Sequence, residues 1–453
     1  MVKKQRVIPR LKPVPYTLSD LTLKLKQPQL LPSGISITHE SENVELYSTP
    51  DLPNNKRGFK YQPCRPNPIL DSKLYSTTDL PPYNTHWSYF DRSSDMMVSS
   101  DMSIVATQES HGWRSSRSNI SIREGKWYIE YKIINGINDA EKDQTPISDS
   151  RSCTPSSSMN HSAHVRMGIA RPDASLEAPV GFDGYGYGIR DINCETIHLS
   201  RRSQIINGSR SDLKVGDVIG LLVELPDFEL QKDIAKSMII ERTLSDPSKL
   251  YGPDESNDSL LKNSFIENGV QREMIPIRYK GELYFEEYEY TGSKKMEHLL
   301  NPVTVFGEHA IPDKERFQPA KLPHSSITLF VNGENRGKPF TNMFAFLPPA
   351  SEQKAARNSK HKKIQDDIFA VDNDDGSLGY FPMVSCFRGG AVQLNTSTNI
   401  WKVPASIQEA ISKGEIKPYG SRFKEKITEE IVNDLIDNAV NKYLDRKEIE
   451  FSG

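Results

Sequence analysis

The chain has 453 residues, of which 36% are hydrophobic and 26% charged, and its net charge is −3. This length is enough for a large core, and the composition is typical of a water-soluble protein with long polar insertions. No stretch approaches the ~20 apolar residues of a membrane span, and a secretory signal is not expected because the basic N-terminus lacks an apolar segment. The cysteines form no CxxC pair, which excludes a zinc finger, disfavours a disulfide framework and indicates the reducing cytosol or nucleus: Cys64, Cys153, Cys194 and Cys386.

Residues 1–85 form a basic, proline-containing segment that we expect to be partly extended and partly disordered. Residues 1–70 hold 11 Lys and Arg against 5 Asp and Glu. Such an arm can attract phosphate backbones without reading their sequence, and a solvated linker explains the same composition equally well. The candidate DNA contacts are the basic residues at its start: Lys3, Lys4, Arg6, Arg10 and Lys12.

Many short strands follow from about residue 86. In "KWYIEYKII" the apolar residues alternate, which is typical of a half-buried antiparallel strand, and its predicted inner face holds Trp127, Ile129, Tyr131 and Ile133. "GDVIGLLVEL" is apolar on nearly both faces and indicates a central strand. The Asn332-Gly333 pair predicts a hairpin because both residues tolerate positive φ. These patterns, with almost no helical periodicity, predict an all-β antiparallel sandwich.

The glycine-rich stretch "MGIARPDASLEAPVGFDGYGYGIR" (167–190) raises the question of a phosphate-binding loop. Such a loop needs backbone N–H groups at a strand-to-helix turn. Here the glycines alternate with Tyr185, Tyr187 and Ile189, and no helix start follows. The pattern therefore favours a strand whose glycine face lets another backbone approach closely.

Three polar segments interrupt the strands, at about 138–162, 241–270 and 351–378. None can bury enough apolar area to offset its ordering entropy, so each is predicted to be a long surface loop. A regulatory site would fit the same composition.

A linker at 405–426 leads to a predicted amphipathic helix at 427–450. Thr428 is a suitable N-cap, and its acidic start and basic end suit the helix dipole. The apolar residues cover an arc of roughly 200°, whereas a helix on its own domain needs only ~100° or somewhat more. We therefore favour docking to a partner over packing on the sandwich. The docking residues would be Ile431, Val432, Leu435, Ile436, Ala439, Val440, Tyr443 and Leu444.

Several motifs together resemble a known family. "YFDRSSDMMVSSD", "RSNISIREGKWYIEYKI", "LEAPVGFDGYGYGIR", "LYFEEYEY" and "HSSITLFVNGENRGKPF" occur in an order similar to the SPRY domain of the Ash-type subunit of COMPASS histone H3 lysine-4 methyltransferase complexes. The resemblance covers about residues 86–404 and implies an SPRY-type sandwich with a C-terminal helix that docks a small Dpy-type dimer. It also implies a nuclear, non-catalytic subunit without cofactor or metal, which binds a scaffold subunit and supports a separate SET-domain methyltransferase.

One departure from the family is informative. Its animal members carry an N-terminal zinc-binding finger, and this sequence has no cysteine pattern for one. The chain therefore resembles the fungal form, and chromatin reading by such a finger is not expected.

The resemblance also implies which residues bind the scaffold subunit. Arg117, in "RSSRSN", matches the arginine of the family's "VRAS" segment, and Arg166, in "HVRMG", matches that of its "RLGW" segment. Guanidinium groups suit an acidic segment because they hold carboxylates bidentately. Tyr185 and Tyr187 would add flat contact area beside them, although a surface ion pair and a core position explain these residue types as well.

Two other function classes fit parts of the sequence. Glu287 and Glu289 alternate along "LYFEEYEY" like the paired acids of a glycosidase, but no tryptophan-rich cleft accompanies them. A histidine metal site is no better supported, because His111, His161, His164 and His198 lack ligand spacing with the cysteines. An SPRY-type substrate receptor of a ubiquitin ligase is the alternative within the same fold.

Overall fold

The computed structural model describes residues 13–137 except 55 and 57, then 163–204, 211–245, 272, 274–293, 296, 299–300, 319–347 and 375–452. The first insertion, 138–162, lies outside these residues, as do 246–270 of the second and 351–374 of the third. The five basic residues at the N-terminus, Cys153 and His161 also lie outside them.

Most of the regular elements among the described residues are strands. The first ten are β1 (Leu31–His39), β2 (Glu42–Ser48), β3 (Phe59–Pro66), β4 (Tyr75–Thr77), β5 (Trp87–Arg92), β6 (Met97–Ser99), β7 (Ile104–Ala106), β8 (Arg114–Ser118), β9 (Gly125–Asn135) and β10 (His164–Ala170). The others are β11 (Gly186–Arg190), β12 (Thr196–His198), β13 (Arg201–Ser203), β14 (Val218–Leu225), β15 (Met274–Tyr279), β16 (Glu282–Tyr288), β17 (Ser326–Val331), β18 (Glu334–Thr341), β19 (Phe381–Phe387), β20 (Ala391–Leu394) and β21 (Lys417–Pro418).

Helices are few. They are α1 (Leu18–Leu21), α2 (Phe228–Ser245), α3 (Ala405–Ser412) and α4 (Arg422–Ser452), and a 3₁₀ turn at Tyr419–Ser421 leads into the last of them.

The strands form three sheets. A ten-stranded sheet has the order β1-β2-β6-β7-β20-β9-β14-β17-β18, with β21 pairing alongside β9. A seven-stranded sheet has the order β13-β12-β11-β10-β19-β8-β5, and a four-stranded sheet has the order β15-β16-β3-β4. The strand pairs are antiparallel except β21 with β9, so the described residues confirm the predicted all-β antiparallel class with a C-terminal helix.

The main core lies between the ten-stranded and the seven-stranded sheets. Ile129 and Leu221 contribute from the first sheet, and Met167 and Val384 from the second. All four side chains are essentially inaccessible to solvent. Inward-facing side chains of two packed sheets form such a core.

The predicted inner face of β9 is confirmed, but the prediction that the strand is half-buried is wrong. Trp127, Ile129, Tyr131 and Ile133 of β9 all lie in the main core. The opposite face of β9 is also covered, since Glu130 is only 1% exposed beneath the segment that follows β20. β14 pairs with β9 on one side and with β17 on the other, as expected of a central strand.

Two predictions from glycine positions are also confirmed. Asn332 and Gly333 join β17 to β18 with φ angles of 50° and 84°. Gly168 of β10 faces Gly188 of β11, and a Cβ at Gly168 would lie only 1.9 Å from the carbonyl oxygen of Tyr187. Close backbone approach, rather than phosphate binding, therefore accounts for the glycines at this strand pair.

The structure corrects the predicted segment boundaries. β1 and β2 belong to the same sheet as β9, so the boundary at residue 86 falls inside one folded unit because main-chain pairing crosses it. Residues 405–426 contain α3, β21 and the first turn of α4, so they are not an irregular linker. Residues 241–245 belong to helix α2, which sequence periodicity did not reveal.

Candidate partner-docking surfaces

Helix α4 carries an exposed apolar ridge. Ile431 is 56% exposed, Leu435 50% and Tyr443 59%. Of the residues predicted to dock a partner, the exposed ones are Ile431, Val432, Leu435, Ala439 and Tyr443, and the half-buried ones are Ile436, Val440 and Leu444. Fully burying one such Leu or Ile side chain is worth about 1.5–3 kcal/mol. A row of them in water is typical of a surface that another protein covers.

The opposite side of α4, its polar underside, lies on the body of the protein. Near its start, Lys426 donates a hydrogen bond to Asp79 at 2.5 Å. Further along, Asn438 accepts one from the Ser72 hydroxyl, and Lys442 pairs with Asp71. An amphipathic helix on its own domain normally turns its apolar stripe inward. In α4 part of the apolar stripe faces solvent instead, and polar side chains make these contacts with the body.

Arg272 makes the central contact with the polar underside. Its Nε donates to Asp437 at 2.6 Å and its Nη2 donates to Asp434, also at 2.6 Å. The Arg272 side chain is only 7% exposed. Because the guanidinium group is planar and its donors point in fixed directions, it grips two carboxylates that lie one turn apart on the helix.

Burial shapes the electrostatics of these contacts. Burial raises the pKa of Asp437 to about 6, and the neighbouring Arg272 only partly opposes that shift. Burial alone would lower the pKa of Lys426, but the carboxylates of Glu430 and Asp79 outweigh it and raise this pKa. These charges are largely removed from water, so the loss of one partner leaves the other uncompensated.

The base of α4 is fixed in the sandwich. The hydroxyl of Tyr419 donates to the carbonyl of Ile120 at 2.6 Å, and Tyr419 is 1% exposed. Arg422 donates from Nε to the carbonyl of Ser121 at 3.0 Å. Phe423 is 7% exposed. The first turn is therefore held by core contacts, and the following turns by the polar underside.

A second candidate surface lies on the outer face of the seven-stranded sheet. Arg166 of β10 stands over the ring of Trp113, with its Cζ 4.7 Å from the ring centroid. Its Nε has no hydrogen-bond partner among the described residues. Burial and then the nearby positive charge of Arg190 lower the pKa of Arg166 to about 10. A carboxylate close to the half-buried guanidinium group would meet a favourable positive field.

Arg117 shares this face but is not available to a partner. Ser385 of β19 pairs with Arg166 of β10 on one side and with Ser115 of β8 on the other. Arg117 is two residues from Ser115, so Arg166 and Arg117 project from the same side of the sheet. Arg117 is 2% exposed and holds Asp91 bidentately at 2.6 and 2.7 Å. It also donates to the carbonyl of Ala174 at 2.7 Å. Its guanidinium group therefore fixes the loop after β10.

Comparison with known proteins places these surfaces in context. No protein-family model matches the chain. "COMPASS component cclA" of Colletotrichum higginsianum is 33% identical over 426 residues, which are 87% of this chain and 69% of that protein. "COMPASS component BRE2" of Saccharomyces cerevisiae is 30% identical over 463 residues, covering 88% of this chain and 90% of the yeast protein. The chain belongs to this family of COMPASS components.

This chain spans different shares of the length of its relatives. "COMPASS component cclA" of Aspergillus fumigatus is 34% identical over 401 residues, and this COMPASS-family chain spans 60% of its length. A solved human SPRY domain aligns with a TM-score of 0.28 at 11% identity, over 68% of this chain and 98% of that domain. A TM-score this low does not establish a shared fold. The antiparallel architecture is shown by the strand pairing of this chain. The family inferred from the sequence motifs is confirmed by the relatives.

The structure corrects the expectation for the two tyrosines of this COMPASS-family chain. Tyr185 is 2% exposed, and its hydroxyl lies 3.3 Å from that of Ser293. Tyr187 is 4% exposed, and its hydroxyl accepts a hydrogen bond from the Phe344 N–H at 2.7 Å. Their rings alternate with glycines on a covered strand, so packing rather than solvent surrounds them. They offer no flat contact area at the surface.

The other candidate groups of the COMPASS-family chain are placed as follows. Glu287 is buried and pairs with Lys60 at 3.2 Å, so it is neutralised within the fold. Within the described ranges, no group of three or more His, Cys, Asp or Glu side chains is arranged to hold a metal ion. The same ranges contain no helix long and apolar enough to cross a bilayer.

Sequence reasoning missed the residues that orient α4. Lys426, Glu430, Asp434, Asp437 and Asn438 recur at helical spacing, so a polar stripe was visible in the sequence. Nothing in that spacing tells which stripe faces the body. The deciding groups, such as Arg272 and Asp79, are far away in the chain, and only the folded structure brings them to the helix.

Proposed function

We propose that the chain is a non-catalytic adaptor subunit of a COMPASS-type histone H3 lysine-4 methyltransferase complex in the nucleus. The observation that carries the proposal is the exposed apolar ridge of α4 on a helix whose polar underside is already fastened to the body. A helix placed in this way presents hydrophobic surface outward, which suits assembly with another protein. The names of the relatives supply the kind of complex.

The apolar ridge is the proposed site for the small Dpy-type dimer. Ile431, Leu435 and Tyr443 supply most of its exposed apolar surface. A groove between partner helices can take such a ridge because its residues recur every three to four positions. The body covers the opposite side of α4, so the dimer approaches from the solvent side.

The outer face of the seven-stranded sheet is the proposed site for the scaffold subunit. Arg166 offers a half-buried guanidinium group beside the ring of Trp113, which fits a segment with acidic and apolar residues. Arg117 contributes indirectly, since it holds the loop after β10 in place. The scaffold site thus lies within residues 86–404, and the dimer site lies on α4 (Arg422–Ser452), which contains the helix predicted at 427–450.

Catalysis is assigned to a separate SET-domain methyltransferase that this subunit supports. The basic residues 3–12 are proposed to contact nucleosomal DNA through phosphate groups, a contact that would weaken with rising salt.

Reconstitution with purified partner subunits tests the proposal. Ile431→Glu with Leu435→Glu should abolish capture of the small dimer and leave the scaffold subunit bound. Arg166→Ala should have the opposite effect. Leu18→Glu is the matched control, because Leu18 is 83% exposed on a different part of the surface. Full assembly by both docking variants would rule out these sites.

A further inference from the structure

The turns of α4 beyond Phe423 are held on the body by several polar contacts. Their contacts from residue 426 onward include ion pairs and amide hydrogen bonds, made by Lys426, Asp434, Asp437, Asn438 and Lys442. Ile431, Leu435 and Tyr443 nevertheless point into water, although Ile436, Val440 and Leu444 are half-buried. Some other feature must therefore prevent the helix from rolling its apolar ridge onto the protein.

Arg272 has the geometry for that task. Its two donors reach carboxylates at positions three apart, and both distances are 2.6 Å. One contact alone would allow α4 to pivot around it. Two contacts from a rigid fork fix both the position along the axis and the rotation about it. Rotation by a single residue, about 100°, would replace the polar underside with apolar side chains.

We propose that Arg272 is a positioning residue that sets the rotation of α4 and so keeps the apolar ridge facing solvent. Without its forked contact, hydrophobic burial pulls the ridge towards the body and the docking surface closes. The contact therefore keeps the helix ready for a partner while the protein is alone. The use of the ridge for docking rests on the proposed function, but the rotation itself does not.

Paired thiol reporters on opposite sides of α4 test the rotation in the full chain without any partner. Leu435→Cys places a thiol on the ridge, and Asn433→Cys, about 200° away around the helix, places one on the opposite, half-buried side. Cys64, Cys194 and Cys386 are buried, and Cys153 is replaced by serine. With Arg272 present, a maleimide should label the ridge thiol several-fold faster than the thiol on the opposite side.

When Arg272→Met is added, the ratio of the ridge labelling rate to the other labelling rate should fall several-fold. Arg272→Lys keeps the charge but lacks the two fixed donors, so it should preserve the ratio only in part. Asp434→Asn with Asp437→Asn removes the contact from the other side and should give the same fall, which covers the case of an Arg272 variant that does not fold. Glu45→Gln, at an exposed site far from α4, is the control. An unchanged ratio in the folded variants would overturn the proposal. Because no partner is present, this result is independent of whether the ridge binds the small dimer.

Discussion

The imidazole ring of His198 lies flat on the phenol ring of Tyr187, with centroids 4.1 Å apart and the planes 7° from parallel. Its Nδ1 lies 2.8 Å from the carbonyl oxygen of Gly186. Burial lowers the pKa of His198 to about 4, and the positive charge of Lys321 acts in the same direction. The protein therefore folds with a neutral histidine between its sheets.

This pairing predicts a loss of stability in mild acid. The unfolded chain protonates His198 near its ordinary pKa, whereas the folded chain does not until about pH 4, so stability falls as pH drops from about 6.5 to 4. The full effect is about 3 kcal/mol, since each unit of pKa difference is worth about 1.4 kcal/mol. Urea unfolding gives the free energy of unfolding at pH 7 and at pH 5. The difference between these two values should be smaller for His198→Phe than for the unchanged protein. An equal pH effect in both proteins would contradict the assignment. His86, whose pKa burial also lowers to about 4, accounts for part of the remaining slope.

Gly168→Ala should destabilise the sandwich severely. The new methyl group would lie 1.9 Å from the Tyr187 carbonyl oxygen, so β10 and β11 would have to separate. We expect a loss of more than about 3 kcal/mol, at the upper end for single substitutions. Gly112→Ala is the control, because nothing lies within 4 Å of a Cβ there. Thermal unfolding of the two variants gives the comparison, and similar melting temperatures would show that the strand spacing is wrong.

Glu130→Gln should loosen the segment that leads to the C-terminal helix. The carboxylate accepts backbone hydrogen bonds from Trp401 and Lys402 and one from the Asn395 side chain, each at 2.7 Å. The glutamine side chain replaces one acceptor oxygen with an NH₂ donor, so it cannot accept all three hydrogen bonds. Leaving a buried group without its hydrogen bond costs about 1–3 kcal/mol. Amide hydrogen exchange should accelerate at residues 395–402, whereas exposed Glu45→Gln should leave it unchanged. Unaltered protection in the Glu130 variant would disprove the anchoring role.

The packing of α4 predicts that substitutions at two of its apolar residues differ strongly in their effect on stability. Leu435→Glu should change the free energy of unfolding by less than about 0.5 kcal/mol, because its side chain is mostly in water. Phe423→Ala removes a buried ring and should cost about 3–5 kcal/mol. Denaturant titration of the two variants measures both quantities. A large loss with Leu435→Glu would mean that the ridge faces the body.

Local pattern predicted much of the sandwich. The alternation around Ile129, the Asn332-Gly333 turn and the glycine face of β11 each depend on neighbouring residues, and each is found in the structure. Such features need only the period of a strand and the backbone freedom of particular residues. The family motifs added the kind of complex, and the relatives confirm the family.

The remaining features depend on contacts between distant parts of the chain. Arg117 matches a motif, yet its burial against Asp91 could not be read from the residues around it. The same holds for Arg272, which reaches α4 from more than 150 positions away. Sequence period identifies the two faces of an amphipathic helix, but it does not say which face the rest of the protein will cover.

The placement of β20 has a consequence for how the protein folds during its synthesis. β7 and β9 are close in sequence, yet β20, from residues 391–394, lies between them and pairs with both. During synthesis the two halves of the ten-stranded sheet cannot join until residues 391–394 have left the ribosome. Until then their unpaired edges are open to wrong pairing, a situation in which folding is slow and aggregation competes. A newly made chain should therefore depend on chaperones until this late strand arrives.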